Sequence, residues 1–328
     1  MFMRANRDEN MTGLIFGTYF NHQVPDDSFD LNVQLEPNKP YWMHFDYSND
    51  QTRTYLESLD DLPESVTTAL LNEETRPRAT IINKGMLISL RGVNLSPGCN
   101  PEDMVSIRIW FDSNRILSTR KRVLLSVQDI ISNMKQGTGP NSASEFIVTL
   151  TRSLMARMTN TIEDIEDRVA QIEESILTNS TYALRNEIAD SRRQIISLRR
   201  YLAPQREAML QLLNENIGLF NAEQKVQLRE TTDHLIRYIE DLESIRDRAS
   251  VTQEELHNRL AEQMNNRMYV LSIVAAIFLP LGFLTGLLGI NVGGIPGSDD
   301  PNAFYLFIIF LLIVVIGQVI LFKKNKWF

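Results

Sequence analysis

The stretch Asn265-Asn266-Arg267-Met268-Tyr269-Val270-Leu271-Ser272-Ile273-Val274-Ala275-Ala276-Ile277-Phe278-Leu279-Pro280-Leu281-Gly282-Phe283-Leu284-Thr285-Gly286-Leu287-Leu288-Gly289-Ile290-Asn291 decides the architecture of this chain. From Met268 to Leu288 it holds no Asp, Glu, Lys, Arg or His, and Ala303 to Phe322 is equally free of them. At roughly 1.5 Å rise per residue each run makes a helix about 30 Å long, the thickness of a bilayer's hydrocarbon core. Two membrane helices near the C-terminus are therefore predicted. Arg267 precedes the first, and Lys323, Lys324 and Lys326 follow the second. The link from Gly289 to Asn302 carries Asp299 and Asp300 but no Lys or Arg. Positive charge stays inside, so both termini are expected in the cytoplasm and the link outside. Trp327 and Phe328 fall where an aromatic belt would anchor the second span. Gly282, Gly286 and Gly289, spaced by four and three, permit close helix approach, and Pro280 removes one backbone donor. Two helices cannot enclose a pore, so conduction requires several copies of the chain.

The chain has 328 residues, and its apolar residues are concentrated behind residue 268, leaving a polar, charged part large enough for a sizeable core. A formal net charge of -8 argues against a nucleic-acid binder and suits a surface that gathers cations, as it also suits a soluble acidic domain. The single cysteine, Cys99, allows no intrachain disulfide, in keeping with a reducing cytosol. Met1 to Glu9 has no apolar core of the signal-peptide kind, so translocation of the N-terminal part is not expected.

Residues 1–141 read as a mixed α/β domain. Strands are predicted at Thr12–Phe20, Tyr41–Tyr47, Ala79–Ile82, Met86–Val93, Met104–Phe111 and Arg115–Thr119, rich in β-branched and aromatic residues. Asn83-Lys84-Gly85 and Asp112-Ser113-Asn114 read as hairpin turns. Helices are predicted at Asp50–Leu59, Glu64–Asn72 and Ser126–Met134, and the loop Lys135 to Pro140 marks a boundary. Residues 142–267 read as a helical stalk. Ile162, Ile165, Val169, Ile172 and Ile176 form one amphipathic seam, and Thr178-Asn179-Ser180 interrupts it. A second helix runs from about Thr181 to Asn216, with Pro204 inside it. A third starts near Asn221 and meets neither Pro nor Gly before the first span. It is either one helix of about 100 Å reaching Leu288, or two collinear helices with a break near Ala249-Ser250. The remaining divisions are the spans at 268–288 and 303–322, the link 289–302 and a basic tail at 323–328.

Gly289-Ile290-Asn291, directly behind the first span, resembles the Gly-x-Asn signature of CorA-type metal-ion transporters. Asn265 to Met268, Ile277 to Phe283 and Gly286 extend the likeness, as do Glu74-Thr75-Arg76-Pro77-Arg78 and Leu202 to Glu207. It covers nearly the whole chain. The common magnesium version reads Tyr-Gly-Met-Asn followed soon by Met-Pro-Glu-Leu. Here Leu288-Gly289-Ile290-Asn291-Val292-Gly293-Gly294-Ile295-Pro296-Gly297 is more similar to the ZntB zinc-transporter branch, and the outer link lacks the nearby Glu. The resemblance implies a homopentameric funnel in a bacterial inner membrane, with first-span helices around the pore and second-span helices outside them. It implies ion entry at Gly289, Ile290 and Asn291, and a pore lined by Asn265, Met268, Leu271, Leu279, Gly282 and Gly286. Zinc is the implied cargo, with proton coupling an open alternative, and no cofactor is implied. The partners would be further copies of the chain, membrane lipid and divalent cations, not nucleic acid.

Five copies of Asn291 would set a ring of neutral amide oxygens that can hydrogen-bond the water shell of a hydrated dication without stripping it. Taken alone, an Asn behind a helix is more readily a cap or turn residue. Apolar rings further in can close a narrow pore by dewetting, although ordinary helix packing uses the same residues. Zinc favours His and Cys, yet His22, His44, His234, His257 and Cys99 form no ligand pair at useful spacing. Asp233 with His234, or Glu254 and Glu255 with His257, would attract ions at the cytoplasmic end; solvated helix faces account for them more readily. Proton carriers place ionisable groups at membrane depth, and these spans have none. No phosphate loop, nucleophile elbow or metalloprotease helix is present, which argues against an enzyme. A magnesium, cobalt or nickel channel, and a membrane-anchored coiled-coil scaffold, remain as alternatives.

Overall fold

A computed structural model describes residues 13–20, 29, 31, 35–36, 39–73, 75–178, 182–290, 295, 297 and 300–324. His22, Glu74, Asn291, Asp299, Lys326, Trp327 and Phe328 lie outside the described residues. By internal contacts the chain forms two compact units, Met1–Gln253 and Glu254–Phe328.

The first unit is built on a six-stranded sheet. Its strands are β1 (Leu14–Tyr19), β2 (Tyr41–Asp46), β3 (Arg78–Ile82), β4 (Gly85–Gly92), β5 (Val105–Phe111) and β6 (Arg115–Arg120), in the order β1-β2-β6-β5-β4-β3. Only β2 and β6 run parallel; the other neighbours are antiparallel. Both hairpin turns form where the sequence places them. Asn83 takes the left-handed backbone (φ 54°) between β3 and β4, which asparagine tolerates better than most residues. A Cβ on Gly85 would stand 2.4 Å from the Trp110 ring of β5, so a side chain there would force that ring to shift. In the other turn, Asp112 Oδ1 accepts from the backbone of Asn114 and Arg115 at 2.9 Å each.

The sheet is covered on both faces, which is why β2, β4 and β5 read as nearly unbroken buried runs. Met43, Phe45, Leu87, Trp110 and Leu117 face helices α1 (Asp50–Glu57) and α2 (Glu64–Leu71), packing on Leu56, Val66 and Leu70. On the opposite face Trp42 meets Phe146, rings 4.5 Å apart, from helix α4 (Ala143–Thr178), which follows α3 (Leu125–Lys135). His44 is fully buried on that second face. Arg120 Nε donates to its Nε2 at 3.1 Å. The proton is therefore assigned to Nδ1, which donates to Ser118 Oγ at 2.8 Å. Ser118 Oγ also accepts from Trp42 Nε1 at 2.7 Å.

Helix α5 (Tyr182–Leu213) continues through Pro204, and the next residue, Gln205, ties it to the sheet by accepting from Arg91 N at 2.7 Å. Between α5 and the next helix the buried Glu215 carboxylate accepts from the backbone N–H of Ile217, Leu219 and Phe220 and pairs with Lys225. Burial would raise that carboxyl, but the Leu219 amide and Lys225 outweigh it and hold it below the usual carboxylate range. Helix α6 (Ala222–Leu288) is a single element of 67 residues; Ala249 and Ser250 lie inside it, so the expected alternative of a break there does not occur. Helix α7 (Ala303–Lys324) runs two residues past the predicted span. Both α6 and α7 contain stretches long and apolar enough to cross a membrane.

Burial, followed by the Arg120 charge, pushes His44 down to about 3. Above the ordinary histidine pKa of about 6.5 neither folded nor unfolded His44 is charged. As pH falls below that value the unfolded chain takes a proton that the folded chain refuses. We expect wild-type stability to lose up to about 1.4 kcal/mol per pH unit between pH ~6.5 and ~3 from this group. Urea unfolding across that range tests it: His44→Gln should be the less pH-sensitive protein, and parallel curves would sink the assignment.

Candidate ion pathway

The residues singled out by the sequence converge on one helix, and its packing sets which face is free. Leu228, Leu235, Leu242 and Ala249 are fully buried and recur every seven residues. Around them, α6 is tied to α4 by Arg248 to Glu166 (3.1 Å) and Glu173 (2.8 Å), and by Thr252 Oγ1 to Glu173 at 3.1 Å. It is tied to α5 through Glu243 with Arg199 and Gln253 with Arg192. A row with the same period but offset by five residues lies about 140° away at 100° per residue, on the opposite face. That row is Asp233, Glu240 and Asp247, all exposed. Asp233 and Glu254 were legible as ion-attracting candidates; Glu240 and Asp247 were not. The periodic signal was present, but the missing knowledge was which face is buried.

In sequence the same seven-residue spacing continues through Glu254, Ala261, Met268, Ala275, Gly282 and Gly289. In the second unit Asn265, Met268, Leu271, Leu279, Gly282 and Gly286 are all exposed on α6. A Cβ on Gly282 or Gly286 would meet nothing within 4 Å, so the close approach these glycines permit is not used within one chain. A groove of about 470 Å³ between α6 and α7 is lined by Phe278, Leu281, Gly282, Thr285, Ile308 and Leu312, among others. Thr285 bonds backward to the carbonyls of Leu281 (2.9 Å) and Gly282 (3.1 Å).

The helix stops at Gly289, whose N–H reaches Thr285 O at 2.9 Å and Gly286 O at 3.2 Å. A Cβ there would stand 2.8 Å from Thr285 O, which gives the first residue of Gly289-Ile290-Asn291 a steric reason to be glycine. Ile290 is half exposed, and Asn291 falls outside the described residues.

Among the described residues no three His, Cys, Asp or Glu side chains come together as a metal site. His234 lies nearer Tyr238, rings 6.3 Å apart, and Glu255 is taken up by Arg259 at 2.6 Å. Asp233, Glu254 and His257 are exposed. Within one chain these groups can attract a cation electrostatically; they do not enclose one.

The sheet domain, together with α6 and α7, each carrying an apolar stretch of membrane length, defines a membrane protein with a large polar domain. Residues 37–324 match the sequence profile of the family described as "CorA-like Mg2+ transporter protein", and the chain belongs to that family. It is 37% identical over 331 residues to the "Divalent cation transporter CmaX" of Pseudomonas aeruginosa (strain PAO1), covering 99% of this chain and 100% of that one. It is 35% identical over 289 residues to the "Zinc transport protein ZntB" of Yersinia enterocolitica, covering 88% of each. The structure superimposes on that of full-length CmaX with a TM-score of 0.81 at 36% identity, covering 97% of this chain and 99% of the other. The CorA magnesium transporter of Methanocaldococcus jannaschii shares the fold, with a TM-score of 0.75 at 15% identity over 90% and 94% of the two chains. The protein is an ion transporter and not an enzyme, and the metal it handles is cargo rather than cofactor.

Neutralising the exposed row (Asp233→Asn, Glu240→Gln, Asp247→Asn) should slow initial metal flux roughly tenfold at low ionic strength. The difference should shrink near ~0.15 M salt, where the Debye length is about 8 Å. Flux from proteoliposomes at two salt concentrations measures this, and equal low-salt rates would remove the row from the pathway.

Proposed function

We propose that the protein takes up zinc across the bacterial inner membrane as a homopentamer, with five α6 helices around the pore and Asn291 ringing its outer mouth. The observation that carries this reading is the exposed seven-residue row of α6. A seven-residue repeat drifts by about 20° per heptad on a straight helix, so a slight left-handed supercoil keeps such a row facing a common axis. Copies of α6 arranged in this way turn Asp233, Glu240 and Asp247 towards one another as successive carboxylate rings. They turn Met268, Leu271 and Leu279 towards one another as apolar rings, and Gly282 and Gly286 leave width where the helices approach. Carboxylates concentrate dications at the cytoplasmic end. Apolar rings hold a narrow pore shut until it widens enough to wet. A ring of amide oxygens accepts hydrogen bonds from the ion's own water, which suits an ion that dehydrates reluctantly.

Zinc as cargo is supported by the relatives named for zinc transport. A broader divalent-cation range is the second reading, because the relative that matches over the full length carries that wider name. Arg267, Lys323 and Lys324, flanking the apolar stretches, support a reading with both termini in the cytoplasm. With no Asp, Glu, Lys, Arg or His inside either apolar stretch, coupling to protons would run through water or through the acidic residues of α6.

Zinc uptake into liposomes holding the purified protein, with and without an inward proton gradient, tests the proposal. Uptake should rise with the gradient and fall roughly tenfold in Asn291→Ala, the factor that about 1.4 kcal/mol represents. Uptake indifferent to the gradient would point to a passive channel. Magnesium or cobalt carried as fast as zinc would favour the broader reading, and full activity in Asn291→Ala would overturn the entry ring.

A further inference from the structure

The free face of α6 is not purely acidic. Arg237 stands on it, four residues after Asp233, three before Glu240 and four before Asp241, and all four side chains are exposed. At 100° per residue Arg237 lies about 40° round the helix from Asp233 and about 60° from Glu240. Those are the spacings at which helix side chains meet. The opposite side is closed to it, because Leu235, Ile239 and Leu242 are buried there. Tyr238, the next residue, is held to α4 by a hydrogen bond with Thr159.

The arginines that follow on this helix are all taken. Arg246 pairs with Asp247 at 2.8 Å, Arg248 with Glu166 and Glu173, and Arg259 with Glu255 at 2.6 Å. Among the described residues Arg237 makes no ion pair, and neither do Asp233, Glu240 and Asp241. Arg229 is unpaired as well, but only Asp233 stands at such a spacing from it. Within one copy an exposed pair of this kind is worth little. Around a common axis the situation changes, because facing acidic rows repel one another and draw cations in. Arg237 is carried into the same field. Being tethered, it acts there at an effective concentration in the millimolar range or above, and its guanidinium grips a carboxylate by two parallel hydrogen bonds without ever losing its charge.

We propose that Arg237 is a tethered counter-ion of the acidic row: without metal it occupies Asp233 and Glu240, and a divalent cation must displace it to enter the row. The inference rests on the reading of that row as part of the ion pathway, with several copies of α6 around one axis. Coulomb attraction scales with the product of the charges, so the second charge of the dication tips the exchange against the guanidinium. Arg237 thereby sets the metal concentration at which the row fills.

The test is initial zinc flux against zinc concentration at low ionic strength, in proteoliposomes of the full-length protein with the cytoplasmic domain facing the zinc. Arg237→Gln should reach half-maximal flux at roughly tenfold lower zinc than wild type, a factor within the range that focused charge supplies. Arg237→Lys, which keeps the charge, should stay within about threefold of wild type. With Asp233→Asn, Glu240→Gln and Asp241→Asn already in place, adding Arg237→Gln should change nothing further. A shift of equal size in that background marks the general field of a positive charge and overturns the proposal. So does an Arg237→Gln curve that superimposes on wild type while neutralising the carboxylates still slows flux; the acidic pathway then stands without a counter-ion. If neutralising the carboxylates leaves flux at the wild-type rate, the pathway reading itself fails and the counter-ion falls with it.

Discussion

The structure depends on the burial of one face of α6. Leu228, Leu235, Leu242 and Ala249 are taken fully out of water beside α4 and α5, and each buried leucine contributes roughly 1.5–3 kcal/mol. The rotation of the helix about its own axis is thereby fixed. Rotating it to bury the other face would place Asp233, Glu240 and Asp247 in a low-dielectric interior, at a cost of several kcal/mol per unpaired ion. The apolar and acidic rows therefore specify the same orientation, one by attraction and the other by exclusion.

That shared orientation connects the fold to transport. A carboxylate in water costs little and is screened by salt, so a solvated acidic row is worth little to stability. In the proposed pathway its value lies in the field it makes for cations. Further along the helix the side chains change from acid to apolar and then to glycine, and in the proposed pore a face that attracts ions would give way to one that can exclude or admit water. Gly289 follows the helix where the preceding turn leaves no room for a side chain.

The sheet domain shows two ways of keeping a polar group inside. His44 is neutral and spends both ring nitrogens on Ser118 and Arg120. Arg115 stays charged but carries its acids with it. Arg108, buried in the middle of β5, instead leans on neutral groups, donating to the backbone oxygen of Glu73 and lying over the Tyr47 ring.

The sequence by itself determined the elements that need no distant partner to be recognised. Met268 to Leu288 and Ala303 to Phe322 declare themselves by length and lack of charge, because in a bilayer the solvent does the sorting. Asn83-Lys84-Gly85 and Asp112-Ser113-Asn114 declare their hairpins, because turn geometry is local. The Gly-x-Asn signature pointed to the family through residues adjacent in the chain. Tertiary structure alone decided that β2 lies parallel to β6, which unites the first strand pair with the later four-stranded meander in one sheet. It decided which of two seven-residue rows on α6 is buried, since period is a property of sequence but direction is a property of packing. It also decided that Arg108, one arginine among several in short strands, is sealed from water, because burial depends on what folds over a residue and not on what stands beside it in the chain.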